Sequence, residues 1–386
     1  MGNRSSSNSS QQQAPQQSKP KLQAPPIFKR RAYWMYKINE GEWSHYSDID
    51  NEIIEDAFSS DKAEVILNHN HVLDLKALQQ ISRTNPNEEA VQIKRETDFV
   101  IQEEYIREER FHLPIAAVKA ATISADSLEM HPPMIIEWAK RNNLKVDLYS
   151  SIINPSYFEN GLEYIQKIIK MAAEGILQKG IELEKKEEAE WISNQLLEAL
   201  AKFEQEKAWS IIEDSCIMLY TRESFLYKSI NKMLREEDSS QLDILGPFCH
   251  LLNGFIEART YDFGTGCFQD TFRGVNLTPE MLQEYKSACE RKFVFTWPGF
   301  TSTSRSREKA EAFGNTLFVF ANNLPRVSDL QQLTYMVKRG LTIEKKSAFP
   351  QEQEVLYPAN SRFIIGKIEQ NPTTGKNIIY LNRIKQ

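Results

Sequence analysis

Two carboxylates, Glu352 and Glu354, stand one residue apart at the head of the apolar run Val355-Leu356, led in by Ser347-Ala348-Phe349-Pro350. On an extended strand side chains alternate with period two, so both would leave from one side and reach one ligand. Like charges that close repel, and the pair calls for a cationic partner. Taken alone, an E-x-E is usually a solvated strand edge. Two further strand signals upstream supply complementary groups. Thr271-Phe272-Arg273-Gly274-Val275 sets an arginine and a glycine in a short apolar run. Phe293-Val294-Phe295-Thr296-Trp297 is an aromatic strand that leads, through Pro298-Gly299-Phe300, to the hydroxyl run Thr301-Ser302-Thr303-Ser304.

Arginine, then Ser-Thr-Ser, then Glu-x-Glu, in that order, resembles the arginine–serine–glutamate class of mono-ADP-ribosyltransferases, a conjunction far more specific than any single motif. Leu219-Tyr220-Thr221 and the segment 226–235 look like that family's opening helices, and Ala310 and Phe313 follow the serines as they do there. The resemblance covers residues 209–384. It implies an α+β catalytic fold in which two packed, mixed β-sheets form a cleft beside a helical N-terminal subdomain, with strands at 317–322, 362–368 and 378–384. It implies NAD+ as cosubstrate and no metal. Asn371-Pro372-Thr373-Thr374-Gly375 reads as a hairpin loop between the last two strands.

The resemblance also implies roles. Arg273 would offer a fork of donors to phosphate or ribose oxygens of the cosubstrate, a charge-assisted contact of about 1.5 to 3 kcal/mol, and Gly274 would let the backbone approach it. Ser302 matches the hydroxyl that positions the nicotinamide ribose and the catalytic carboxylate, with Thr303 and Ser304 supporting the strand end. Phe313 is a candidate ring against the nicotinamide, although a helix-core phenylalanine is the commoner fate. Glu354 corresponds to the catalytic glutamate, which accepts a hydrogen bond from the ribose 2′-hydroxyl and steadies the cation developing at the anomeric carbon. Glu352 matches the glutamate that faces an acceptor guanidinium and takes up its proton. Phe349 looks like the aromatic that positions the acceptor protein. The bland alternatives are a surface ion pair for Arg273 and a hydroxyl-rich strand end for the serines.

Charge is unevenly placed. The first 31 residues hold six of the 47 basic residues and none of the 53 acidic ones, leaving 41 against 53 in the rest. An acidic body argues against nonspecific nucleic-acid binding, which depends on neutralising phosphates. Met1-Gly2-Asn3-Arg4-Ser5-Ser6 fits the pattern for N-myristoylation of Gly2. One acyl chain binds a membrane only marginally, at about 10⁴ M⁻¹, and the basic tail could add on the order of 1 kcal/mol per charge near an anionic leaflet. The other reading is a disordered tail that happens to begin Met-Gly; the stretch 5–26, rich in Ser, Gln and Pro, is disordered on either. With no signal core and no run of membrane-spanning length, the expected location is cytoplasmic, at the inner face of a membrane if the tail is acylated. Cys216, Cys249, Cys267 and Cys289 are too scattered for a zinc motif, and His69 and His71 lack a third ligand; reduced thiols are expected.

From Arg31 onward the composition becomes that of a small folded unit. Tyr33-Trp34-Met35-Tyr36 and Trp43-Ser44-His45-Tyr46 flank Asn39-Glu40-Gly41 as a hairpin. A helix follows over 50–58, with Ile53, Ile54, Ala57 and Phe58 inward, then strands at 64–67, 72–75 and 90–94. With Trp34, Trp43, Val72-Leu73-Asp74-Leu75, Gln79, Gln80 and Ile93-Lys94-Arg95, this segment resembles the WWE domain. That implies a protein-interaction module or a reader of the iso-ADP-ribose unit. Met35 and His71 stand where ligand-clasping members carry tyrosines, and Arg83 is the nearest basic residue after Gln80, so interaction is favoured and Trp34 and Trp43 are expected in the core. Between the two units, Leu162, Ile165, Ile168, Ile169 and Ala172, and again Ala189, Ile192, Leu196, Leu200 and Phe203, recur at helical spacing around the charged stretch 182–188. A helical extension packed on the catalytic unit is preferred to a short coiled coil.

The domains expected are therefore a tail (1–30), a WWE-like α+β domain (31–98), a helical linker or subdomain (99–207) and the catalytic domain (208–386). The expected activity transfers ADP-ribose from NAD+ to arginine side chains of acceptor proteins and releases nicotinamide, with inversion at the anomeric carbon. Two alternatives use the same chain: an NAD+ glycohydrolase, and a noncatalytic scaffold with a degenerate transferase domain, against which the three intact motif positions speak.

Overall fold

The computed structural model describes residues 32–67, 70–85, 87–97, 132–144, 161–261, 267, 269–321 and 340–383. Gly2 and its tail, His69 and residues 262–266 lie outside them, as do the segments 98–131 and 145–160.

The first unit is a six-stranded sheet, in the order β2-β1-β6-β5-β4-β3, built from β1 (Tyr33–Asn39), β2 (Glu42–His45), β3 (Glu64–Leu67), β4 (His71–Asp74), β5 (Gln79–Ser82) and β6 (Val91–Glu96). All neighbours run antiparallel. Helix α1 (Asp48–Ser59) starts where the Ser47 side chain accepts the Asp50 N–H, with Asp48 and Asp50 in its first turn favouring the positive end of the helix. It lays Ile54 and Ala57 on Trp34, Leu67, Leu73, Leu75 and Ile93. Two expectations change here. Phe58 is 42% exposed and rests edge-on against Trp34 with the Arg95 guanidinium 4.9 Å from its ring. Trp34 is core, but Trp43 lies half-buried on the edge strand β2 with the Lys94 ammonium 4.6 Å from its ring centre.

The helices that follow are α2 (Pro133–Arg141), α3 (Gly161–Glu182), α4 (Lys186–Glu206), α5 (Trp209–Thr221), α6 (Phe225–Glu236) and α7 (Leu242–Tyr261). Ile165, Ile168, Ile169 and Ala172 of α3 and Ala189, Ile192, Leu196, Leu200 and Phe203 of α4 are buried, in one core cluster with α2 and α5–α7 and with Ile49 of α1. A Cβ on Gly175 of α3 would fall 1.9 Å from the Ile244 carbonyl oxygen of α7, so only glycine admits that crossing. The helical extension thus packs on the catalytic unit, and the hydrophobic core runs on across Lys207. Glu188, at the end of the charged stretch 182–188, is 8% exposed: it accepts the Phe225 N–H at 2.8 Å and pairs with Lys185 at 3.1 Å. Burial pushes its carboxyl pKa up, and Lys185 and the Phe225 N–H pull it back.

The catalytic unit is an eight-stranded mixed ladder in the order β11-β12-β9-β7-β10-β14-β13-β8. Its strands are β7 (Thr271–Val275), β8 (Val294–Trp297), β9 (Thr301–Ser304), β10 (Thr316–Ala321), β11 (Leu341–Thr342), β12 (Glu354–Tyr357), β13 (Ser361–Gln370) and β14 (Asn377–Arg383), with α8 (Pro279–Arg291) and α9 (Arg307–Glu311) between them. The three strands expected near 317, 362 and 378 are β10, β13 and β14, and β10 pairs with β14 in parallel. In the ladder β8 and β9 are five strand spacings apart, roughly 24 Å if flat. The three residues that join them span at most about 14 Å. The joint from β12 to β13 imposes the same limit, so the ladder folds over into two facing sheets. Trp297, Phe318, Phe320, Tyr357 and Phe363 fill the fold, with Phe320 stacked on Tyr357 at 5.0 Å.

Candidate active site

The order β12-β9-β7 brings the three motifs onto adjacent strands. Ser304 lies opposite Glu354 and Ser302 opposite Leu356, while Phe272 lies opposite Ser304. Residues directly opposite in an antiparallel pair share a face. Ser302, Ser304 and Glu354 therefore leave from one face, the one on which Leu356, Leu341 and Phe300 meet the helical core. By the same alternation Arg273 leaves from the other, between the folded sheets.

Arg273 is 5% exposed and its Nη1 donates to the Ser302 carbonyl at 2.7 Å. The guanidinium expected to grip a ligand directly is committed, in part, to the main chain at the serine. A Cβ on Gly274 would meet the Ala310 oxygen at 2.1 Å and the Phe313 oxygen at 2.5 Å, so the approach of the chain at the end of α9 by itself requires glycine there. Phe313, half-buried, belongs to that same packing.

The two glutamates are not on one strand. Glu352 closes a 3₁₀ turn (Pro350–Glu352), Gln353 takes the left-handed conformation (φ 49°), and Glu354 opens β12. Same-side presentation by period two fails for that reason, yet both carboxylates are buried, at 1% and 0% exposure. Ser304 ties the parts together: its Oγ donates to the Glu352 carbonyl at 2.8 Å and accepts the Ser306 N–H at 3.0 Å. The Lys309 ammonium donates to the Gln351 carbonyl at 2.7 Å. Phe349, expected to meet an acceptor, is 8% exposed, its N–H donating to Ser347 Oγ at 3.0 Å.

A residue without an assigned role on sequence grounds is Arg235, in the last turn of α6. It is half-buried, and desolvation pulls its guanidinium pKa down while Tyr220 and Glu236 hold it up. Tyr220 connects it to the serine strand: its ring sits 5.5 Å from Phe300, and its hydroxyl accepts from Asn231 Nδ2 at 2.9 Å. A charged arginine kept in low dielectric suits an anionic ligand. The signal was Arg235 ending the segment 226–235, where a cation in the last turn passes for ordinary helix chemistry.

The mixed, folded-over ladder is the fold expected of an ADP-ribosyltransferase. Residues 264–385 match the ADP-ribosyltransferase exoenzyme family and residues 32–95 the WWE domain, and the chain carries both domains. Over 107 residues it is 30% identical to Mav of Mycobacterium avium (strain 104), whose name provisionally assigns it NAD(+)–arginine ADP-ribosyltransferase activity; the match spans 28% of this chain and 11% of Mav. Among solved structures it is similar to the ADP-ribosyltransferase HopU1 of Pseudomonas syringae pv. tomato DC3000, with 20% identity, a TM-score of 0.38, and 48% of this chain and 82% of that one covered. It is also similar to the type III effector XopAI of Xanthomonas axonopodis pv. citri, with 14% identity, a TM-score of 0.43, and 70% and 96% covered.

Proposed function

We propose that this chain cleaves the bond between nicotinamide and the anomeric carbon of NAD+ and passes the ADP-ribosyl group to an arginine side chain of an acceptor protein. The observation that carries this reading is the register that sets Ser304 opposite Glu354 while Arg273 binds the Ser302 carbonyl, so that three distant segments meet at one corner. As the glycosidic bond breaks, its electron pair leaves on nicotinamide. Glu354, a fixed anion in a water-poor site, steadies the cation left on the ribose more strongly than it steadies the bound substrate. A guanidinium nitrogen then bonds to that carbon from the opposite face, and the proton it loses passes to Glu352. Arg235 holds phosphate, and Arg273 acts as a positioning residue that keeps Ser302 in place. The match of residues 264–385 to a family of NAD+-using transferases supports the substrate.

Incubating the full chain with labelled NAD+, with and without a small guanidino acceptor such as agmatine, tests it. Glu354→Gln is expected to lower both nicotinamide release and transfer by about 10³-fold. Glu352→Gln is expected to lower transfer by about 10²-fold and leave release into water in place. Nicotinamide release untouched by Glu354→Gln would remove the catalytic assignment.

A further inference from the structure

The turn that carries Glu352 is strapped to helix α5. From Ile343 onward it is tied by main-chain hydrogen bonds: Ile343 N–H to the Glu354 carbonyl at 3.0 Å, Ser347 N–H to the Ile343 carbonyl at 2.8 Å, and Glu352 N–H to the Phe349 carbonyl at 3.1 Å. Two straps fix this chain to α5. The Lys346 ammonium lies 2.8 Å from Glu213 and 2.7 Å from Asp214, and the Ala348 N–H donates to Thr221 Oγ1 at 2.9 Å. Thr221 is the last residue of that helix.

The next residue, Arg222, reaches into the WWE domain. Its Nη1 lies 2.9 Å from Asp48 and 3.1 Å from Glu52, both on α1, and its guanidinium stands 5.6 Å from the Trp191 ring of α4. The Glu223 N–H donates to the second oxygen of Asp48 at 3.1 Å, and Trp191 Nε1 donates to Asp56 at 2.8 Å. The Arg222 and Asp48 side chains are only 9% and 7% exposed, and Ile49 beside them enters the helical core. Desolvated ion pairs contribute little net stability over an apolar contact of the same size; what they can set is the register of the parts they join.

We propose that Arg222 is a positioning residue through which the docked WWE helix sets the Glu352 turn. On the transferase reading above, this contact governs the alignment of the acceptor arginine. Asp48 and Glu52 hold Arg222, the helix end holds Thr221, and Thr221 holds Ala348 at the start of the turn. Glu354 lies beyond the left-handed Gln353, where the β9–β12 ladder holds it in addition to the Ile343 N–H. Loosening the Arg222 contact therefore acts on acceptor transfer and spares cleavage of NAD+.

The test uses the full chain and two assays, nicotinamide release without acceptor and transfer to agmatine. Arg222→Ala is expected to raise KM for agmatine about tenfold while nicotinamide release stays within about twofold of wild type. Arg222→Lys, which keeps the charge, is expected to fall between the two. Asp48→Asn with Glu52→Gln removes the same contacts from the WWE side and is expected to reproduce the Arg222→Ala pattern; it decides the matter if Arg222→Ala melts early. An unchanged KM for agmatine, or release and transfer falling together in folded variants, would overturn the coupling alone. A wild-type chain that leaves NAD+ intact would overturn the transferase reading and the coupling with it.

Discussion

The WWE sheet and the folded ladder treat polar side chains in opposite ways. In the WWE sheet Tyr36 and Tyr46 pack at 5.1 Å, half in water, with the Tyr46 hydroxyl donating to Gln80 at 2.7 Å and the Lys94 ammonium over the half-buried Trp43 ring. In the folded ladder Glu352, Glu354, Ser302 and Ser304 are all at most 3% exposed. Polar groups on an open sheet face keep water contacts of similar worth to contacts within the protein. A carboxylate that must steady a developing cation works best where solvent does not screen it. The buried site depends on close packing around it, and the open one does not.

The sharpest way to break this contrast is Gly274→Ala. Its Cβ would strike backbone oxygens of Ala310 and Phe313 that cannot swing aside, so a loss of about 3 kcal/mol is expected, read as a lowered denaturation midpoint with activity falling alongside. Full stability would show that α9 moves freely against β7. Next in size is Arg235→Ala, expected to raise KM for NAD+ by about 10- to 100-fold through loss of a charge-assisted phosphate contact. An unaltered KM would return Arg235 to the helix end as a solubilising charge. The smallest effect is expected in the WWE sheet. Glu55 accepts from Trp34 Nε1 and Arg95 Nε, each at 2.9 Å, and the Arg95 hydrogen bonds hold its carboxyl below the ordinary range against the opposing pull of burial. A depressed folded-state pKa stabilises above the unfolded value of about 4.3, and that gain is lost as pH falls through the folded value. Glu55→Gln should therefore speed amide exchange in β1 and β6 at pH 7, by the equivalent of about 1 to 2 kcal/mol, and flatten its acid dependence below about pH 4. Equal acid sensitivity in wild type and variant would sever Glu55 from that limb.

How much was legible follows from the same contrast. Short apolar runs identify β7, β8, β10, β12 and β14, because strands buried on both faces must be apolar throughout. Gln79-Gln80-Ile81-Ser82 escapes as a strand because none of its residues is fully buried: Gln79 and Ile81 are exposed and Gln80 and Ser82 half-buried, so no alternation of apolar and polar residues marks it. The E-x-E was placed rightly at the head of a strand and wrongly within it: nothing in Gln353 announces a left-handed backbone, which glycine or asparagine would have done. Glycine signalled a close approach at Gly274 but not its partner, since α9 and a ligand impose the same steric demand. Arg222 looked like any charge after a helix, because the carboxylates that bury it lie 170 and more residues away.

The three-residue corners that fold the ladder bear on how the chain can be altered. Side chains on a strand change sides with every residue, so one amino acid inserted between Trp297 and Thr301 would roll β9 over, turning its threonines toward the helices and its serines into the aromatic filling. Labels or tags belong instead in the exposed reverse turn at 371–376, where added length leaves every paired strand as it was.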